Sequence, residues 1–100
     1  MINHVVLFKL KEFDNVEAKK EALKQFELKL LDLKNSIPEL KYIEVGQNYL
    51  LDAASYDLSL ISHFESIADL DVYRVHPEHL KVVEFVKDIT IDRAAVDYEF

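Results

Sequence analysis

The stretch His4-Val5-Val6-Leu7-Phe8-Lys9-Leu10 has the two-residue period of a β-strand, yet both of its faces are largely apolar. His4, Val6, Phe8 and Leu10 share one side, and Val5 and Leu7 stand with Lys9 on the other. A strand this rich in branched and aromatic residues is wanted dry on both sides. The fold must therefore cover a sheet twice, with 100 residues that suffice for one compact domain and not for two. One Gly and two Pro leave no room for a flexible linker or a low-complexity tail, so residues 1–100 are expected to form a single module.

Asp14 or Asn15 can cap a helix whose apolar stripe runs Val16, Leu23, Phe26, Leu30, Leu33 and Ile37, with Leu28 and Leu31 able to widen it. Pro38 ends that helix, because its ring clashes with the preceding turn and the residue before it avoids helical geometry. Leu40 to Asn48 reads as a second strand, in which Gly46 marks a bulge or a close approach by another group. A loop around Leu51, Asp52 and Ala53 leads to a third strand, Ser55 to Phe64. Ser66 and Asp69 form a capping-box pair for a short helix ending near Val75. Pro77 suits the first position of the next helical segment, whose buried side is Val82, Phe85, Val86 and Ile89. A final strand, Thr90 to Phe100, alternates Ala94, Val96 and Tyr98 with Arg93, Ala95, Asp97 and Glu99.

Strand, helix, two strands, helix pair, strand is the order of a split pair of strand-helix-strand units. It predicts an α+β, ferredoxin-like, four-stranded antiparallel sheet with helices on one face. The other face needs a second cover. A second copy of the chain, stacked sheet against sheet as a homodimer in a barrel-like closure, supplies it; the alternative is a monomer whose open face is a wide ligand groove.

Several function classes fall away. The net charge is −7 with acidic groups spread along the chain, which works against nucleic-acid binding; Lys19, Lys20, Lys24, Lys29 and Lys34 lie among Glu17, Glu21, Glu27 and Asp32 as a solvated, charge-paired face. Without cysteine there is no disulfide, thiol catalysis or thiolate zinc site. The opening residues carry no basic leader and are too short for a membrane span, so no membrane partner is expected and the cytoplasm is the expected location. Neither a phosphate-cradling glycine loop, nor His-Glu-x-x-His, nor a nucleophile elbow is present. Any reaction must be simple, and no cofactor is expected.

Groups able to move a proton near neutral pH concentrate in Tyr73-Arg74-Val75-His76-Pro77-Glu78-His79. The break at His76-Pro77 changes the chain's direction, so helical spacing does not decide whether Tyr73 and His79 meet. If they converge on a cavity between helices and sheet, His79 can act as a general base and the Tyr73 hydroxyl can orient a carbonyl or stabilise an enolate. The plain alternative is a core tyrosine with its hydroxyl at the rim. His76 is explained by its place before a helix-starting proline; a metal held by His76 and His79 lacks a placed third ligand, with Glu78 badly directed and His63 a guess, so none is expected. His4 either faces the same cavity as His79 or is a satisfied histidine at the sheet's edge. Asp97 and Glu99 could orient a base, but a solvated sheet face explains them with fewer assumptions.

In order and spacing these segments resemble the stress-responsive alpha-beta barrel (Dabb) domain family: His4-Val5-Val6-Leu7-Phe8-Lys9-Leu10-Lys11, Ile37-Pro38, Val45-Gly46, Tyr56-Asp57-Leu58, Phe64-Glu65-Ser66, His76-Pro77-Glu78-His79 and Val96-Asp97-Tyr98. The resemblance covers nearly the whole chain. It implies a ferredoxin-like fold and a homodimer whose two sheets face each other in a barrel. It implies little about activity, since members range from stress-linked proteins without an assigned reaction to a plant polyketide cyclase. In that branch a tyrosine and the second histidine of His-Pro-x-His close a ring by aldol chemistry; Tyr73 and His79 match those positions, and His4 matches a pocket-side histidine. Where the cyclase has a further pocket histidine this chain has Leu58, a departure that counts against polyketide cyclisation. Two expectations result: a dimer that binds a small, mainly apolar molecule or serves a protective role in stress, without turnover, or a cofactor-independent lyase or cyclase with His79 as base and Tyr73 as orienter. A heme-dependent or flavin-free oxygenase would use the same scaffold without distinctive support in these residues.

Overall fold

The computed structural model, which describes residues 1–52 and 54–100, runs β1 (Ile2–Leu10), α1 (Val16–Ser36), β2 (Tyr42–Gln47), β3 (Leu58–Phe64), α2 (Ile67–Val75), α3 (Pro77–Ile89) and β4 (Thr90–Glu99). Of the loop expected around Leu51 to Ala53, Ala53 lies outside the described residues. The strands form one antiparallel sheet in the order β2-β3-β1-β4, the α+β ferredoxin-like arrangement expected from the element order. The doubly apolar β1 is an inner strand, with β3 on one side and β4 on the other.

Register divides the sheet into two chemically different faces. Ile2, Val6, Phe8 and Leu10 of β1 join Leu58, Leu60 and Phe64 of β3 beneath the helices. α1 lowers Leu23, Phe26, Leu30 and Leu33 onto them, and Phe26 meets Phe8 at 4.8 Å and Phe85 at 6.3 Å between ring centroids, edge to face. Asn15, not Asp14, caps α1 by accepting from the Ala18 amide. The helix stops at Ser36, and Ile37 is extended ahead of Pro38, as pre-proline sterics require. Leu28 and Leu31 do not widen the buried stripe but face solvent; Leu28 is two residues, or about 200°, from Phe26. Val16 keeps the stripe's angle but is also exposed, in the first turn, where it lines a surface groove with Tyr49 and Leu51.

β2 and β3 are shorter than their patterns suggest. Hydrogen bonds continue one residue past each end of β2, from Lys41 N to His63 O and from Asn48 N to Asp57 O. β3 starts at Leu58, and the preceding Asp57 carboxylate ties the sheet from outside the strand: its Oδ2 accepts from the Leu10 amide at 2.8 Å, where the pairing of β1 with β4 shifts register. Lys19 Nζ lies 3.0 Å from Asp57 Oδ1, off the hydrogen-bonding direction, so that contact is Coulombic. Gly46 marks a close approach rather than a bulge, since the β2–β3 register is regular and a Cβ there would lie 3.0 Å from Ser59 Oγ.

The opposite face carries Val5 and Leu7 of β1, Ile61 of β3, and Val96 and Tyr98 of β4, joined by the register pairs Val5–Ile61 and Val5–Val96. Among the described residues no helix covers it, and Val96 and Tyr98 are about half exposed. His63 stacks on Tyr42 at 4.7 Å on this same face, remote from the other histidines. Among the described residues no helix is long and apolar enough to cross a membrane.

Candidate functional site

A cavity of about 500 Å³ opens between the helix-facing side of β1 and β4 and the α2–α3 pair. Val6, Phe8, Leu60, Val82, Val83 and Val86 give it apolar walls, and His4, Tyr73 and His79 all line it. The three residues singled out from sequence thus meet in one place, although they come from a strand and two helices.

The break at His76-Pro77 makes this possible. His76 leaves helical geometry at ψ 135°, and its ring Nδ1 accepts the Glu78 amide at 3.1 Å, so the histidine itself caps α3, with Pro77 in the first turn. The redirected helix brings the His79 ring to 4.3 Å from the Tyr73 ring, centroid to centroid. Its Nδ1 lies 3.0 Å from the Arg74 carbonyl oxygen. A carbonyl only accepts, so Nδ1 carries the hydrogen and Nε2 keeps its lone pair. Burial holds the His79 pKa below the usual 6.5, opposed by the Arg74 carbonyl and assisted by positive charge on His4, Arg93 and His76. At neutral pH the ring is uncharged and able to accept a proton.

Tyr73 is 1% exposed, wedged between Phe64 at 5.0 Å and His79. Burial pushes its phenol up to about 12, so it stays protonated and donates. Among the described residues its hydroxyl has no hydrogen-bond partner. A buried unpaired hydroxyl costs about 1–3 kcal/mol, so Tyr73→Phe, which keeps the ring, is expected to raise stability by about 1 kcal/mol. Urea denaturation measures this; a loss of 1 kcal/mol or more would mean that the hydroxyl is satisfied in the folded chain.

His4 is not at an edge, because β1 is an inner strand. It is 6% exposed, edge-on to Tyr73 at 6.3 Å, and its Nδ1 is hydrogen-bonded to Asp97 Oδ1. Asp97 Oδ2 accepts from Arg74 Nη2 at 2.8 Å. Asp97 is solvent-exposed, as a surface residue of β4 should be, yet the β1–β4 register sets it opposite His4, on the helix side, where it also orients that ring. Alternation along β4 groups Asp97 with Arg93 and Ala95 but does not say which side the helices take. In β3 it is Leu60, not Leu58, that lines the cavity. Among the described residues no group of three or more His, Cys, Asp or Glu converges as a metal site.

The lowered His79 pKa has a consequence for stability. Unfolding restores an ordinary imidazole that binds a proton more readily, so the neutral folded ring contributes stability that is complete above pH 6.5 and lost as pH falls through the lower folded value. Chemical denaturation between pH 7 and pH 5 is expected to show this decline, and His79→Gln to flatten it. An unchanged slope in the variant would assign the decline to other groups.

Comparison with known proteins places these features in context. A family model described as Stress responsive A/B Barrel Domain matches residues 2–100. A stress-response A/B barrel domain-containing protein of Arabidopsis thaliana is 30% identical over 98 residues, covering 98% of this chain; the chain spans 46% of that relative's length. A dimeric protein of unknown function with a ferredoxin-like fold, from Bacteroides fragilis, superposes with a TM-score of 0.88 at 33% identity, covering 99% of this chain and 95% of its own. The hydroxynitrile lyase of Passiflora edulis shares the fold, with a TM-score of 0.80 at 19% identity over 97% of this chain and 90% of its own.

Proposed function

We propose that this chain, which belongs to the stress responsive A/B barrel domain family, binds a small, mainly apolar molecule between β1, β4 and the α2–α3 pair. The carrying observation is a cavity of about 500 Å³ with aliphatic walls, lined also by the buried Tyr73 and the half-buried His79. That volume falls within the usual range for small-molecule sites, and apolar walls with few polar groups are their usual chemistry. Ligand-observed NMR against a broad metabolite set, with Val82→Trp filling the cavity as control, tests it. Binding abolished by the tryptophan supports the reading; no binding in the native protein removes it.

The same reading has the molecule act as a homodimer through its uncovered sheet face. Val5, Leu7, Ile61, Val96 and Tyr98 form an apolar surface that one chain leaves wet, and the Bacteroides fragilis relative is described as dimeric. An interface of about 1,500 Å² is enough for a stable pair. Light scattering at micromolar concentration is expected to give twice the 11.7 kDa chain mass; a single-chain species would overturn it.

A second reading is favoured by the fixed tautomer of His79. With Nδ1 turned to the Arg74 carbonyl, Nε2 can remove the proton next to a ligand carbonyl, while the Tyr73 hydroxyl donates to the oxygen that gains charge. This is cofactor-independent lyase or cyclase chemistry on a carbonyl compound. His4, held by Asp97, stands beside Tyr73 at the same cavity.

A further inference from the structure

The charged residues around the cavity are all cationic, although the chain has 19 acidic side chains against 12 basic ones. Arg74, Lys87 and Arg93 line it, and no Asp or Glu does. Two of the three are neutralised within the chain: Arg74 by Asp71 and Asp97, and Lys87 by Glu84 at 3.3 Å. Among the described residues Arg93 makes no ion pair. It lies opposite Phe8 on the helix-facing side of β4, four residues along the strand from Asp97, which is opposite His4. The cavity thus holds His4, Tyr73 and His79 together with aliphatic walls and Arg93, whose backbone lies about 13 Å along β4 from the position opposite His4. The Arg93 charge also favours the neutral form of His79.

We infer that the molecule held in this cavity ends in a carboxylate, which Arg93 grips while the aliphatic remainder runs toward Tyr73 and His79. This rests on the small-molecule reading above and names its substrate class: a short-chain or medium-chain acid, with any reacting carbonyl placed inward from the carboxylate. A guanidinium matches a carboxylate with two parallel N–H donors, and it is less strongly hydrated than an ammonium. Arg93 is solvent-exposed, so a carboxylate there would replace water on the guanidinium, whereas a neutral ligand gains no charge pairing. An acid chain joins a charged end to an apolar body, which suits a cavity lined by a guanidinium and aliphatic walls.

The matched probes are octanoate and octanamide, equal in length and differing in charge, titrated calorimetrically into the native protein and Arg93→Gln at pH 7. The native protein is expected to bind octanoate at least about tenfold more tightly than octanamide, the scale of a hydrogen bond to a charged group. The preference should weaken in 0.5 M salt and disappear in Arg93→Gln, with octanamide affinity unchanged. Octanamide binding without a preference for octanoate would overturn the inference and leave the apolar-ligand reading standing. Failure of both probes to bind would remove both. A changed oligomeric state in Arg93→Gln, read by light scattering, would mean that Arg93 answers an acidic group of a second copy, and the inference would fall.

Discussion

On the proposed carbonyl chemistry, His79→Ala is expected to lower turnover by about 10²-fold or more, the usual scale for loss of a general base. The expectation follows from three features of one side chain. Arg74's carbonyl fixes the tautomer, burial keeps the ring neutral, and the cavity gives a reacting carbon room to approach. Tyr73→Phe provides the matched comparison, because it removes only a hydroxyl that has no hydrogen-bond partner among the described residues. That variant should lose rate while gaining stability, a combination that a packing residue does not produce. In the native protein the rate should climb as pH rises through the His79 pKa, which burial holds below 6.5, and then level off, since the base must be unprotonated to act. Initial rates across pH 5 to 8, with circular dichroism to verify folding, make the comparison. Native rates in His79→Ala would take the imidazole out of the chemistry.

Asp57→Ala should be the most destabilising single polar change, at about 3–5 kcal/mol, because it strands the groups that a buried carboxylate now satisfies. Asp57 is fully buried, and its side chain holds the Leu10 amide at 2.8 Å and the Lys19 ammonium at 3.0 Å. Its own amide donates to Phe8 O at 2.8 Å, and its carbonyl accepts from Asn48 N at 2.9 Å. One residue therefore ties the ends of β1, β2 and β3 to the first helix. Asp57→Asn keeps an oxygen for Leu10 but loses the charge opposite Lys19, so its cost should lie between that of alanine and none. Urea denaturation of both variants gives the order; a loss below about 1 kcal/mol in Asp57→Ala would mean that water replaces the carboxylate without strain.

Asp57 also shows where pattern reading stops. In the alternation of Tyr56-Asp57-Leu58-Ser59 it falls on the outward parity of a strand, and nothing local marks it as buried. Its burial comes from Leu10 and Lys19, which are 47 and 38 positions away. Asp97 behaves likewise, since its partner His4 is 93 residues distant and only pairing of the two terminal strands unites them. By contrast, the His76 cap, the Ile37-Pro38 stop and the Leu23-Phe26-Leu30-Leu33 stripe rest on contacts within a few residues, and all are present. Leu28 and Leu31 read as apolar but project from the wrong angle of the helix, which composition does not record.

Sequence by itself determined the order of the elements, the position of most breaks, the need to dry both sides of β1, and Tyr73, His79 and His4 as the groups to watch. These depend on backbone sterics and on the periods of 3.6 and 2, which act over a few residues. Only the tertiary structure decided that the three groups share one cavity, that Asp97 holds His4, that Asp57 is a buried clasp and that Arg93 has no acidic partner among the described residues. Those facts depend on which side of the sheet the helices cover and on strand register. Both are fixed by packing among residues far apart in the chain, where a shift of one position would exchange every inward side chain for an outward one.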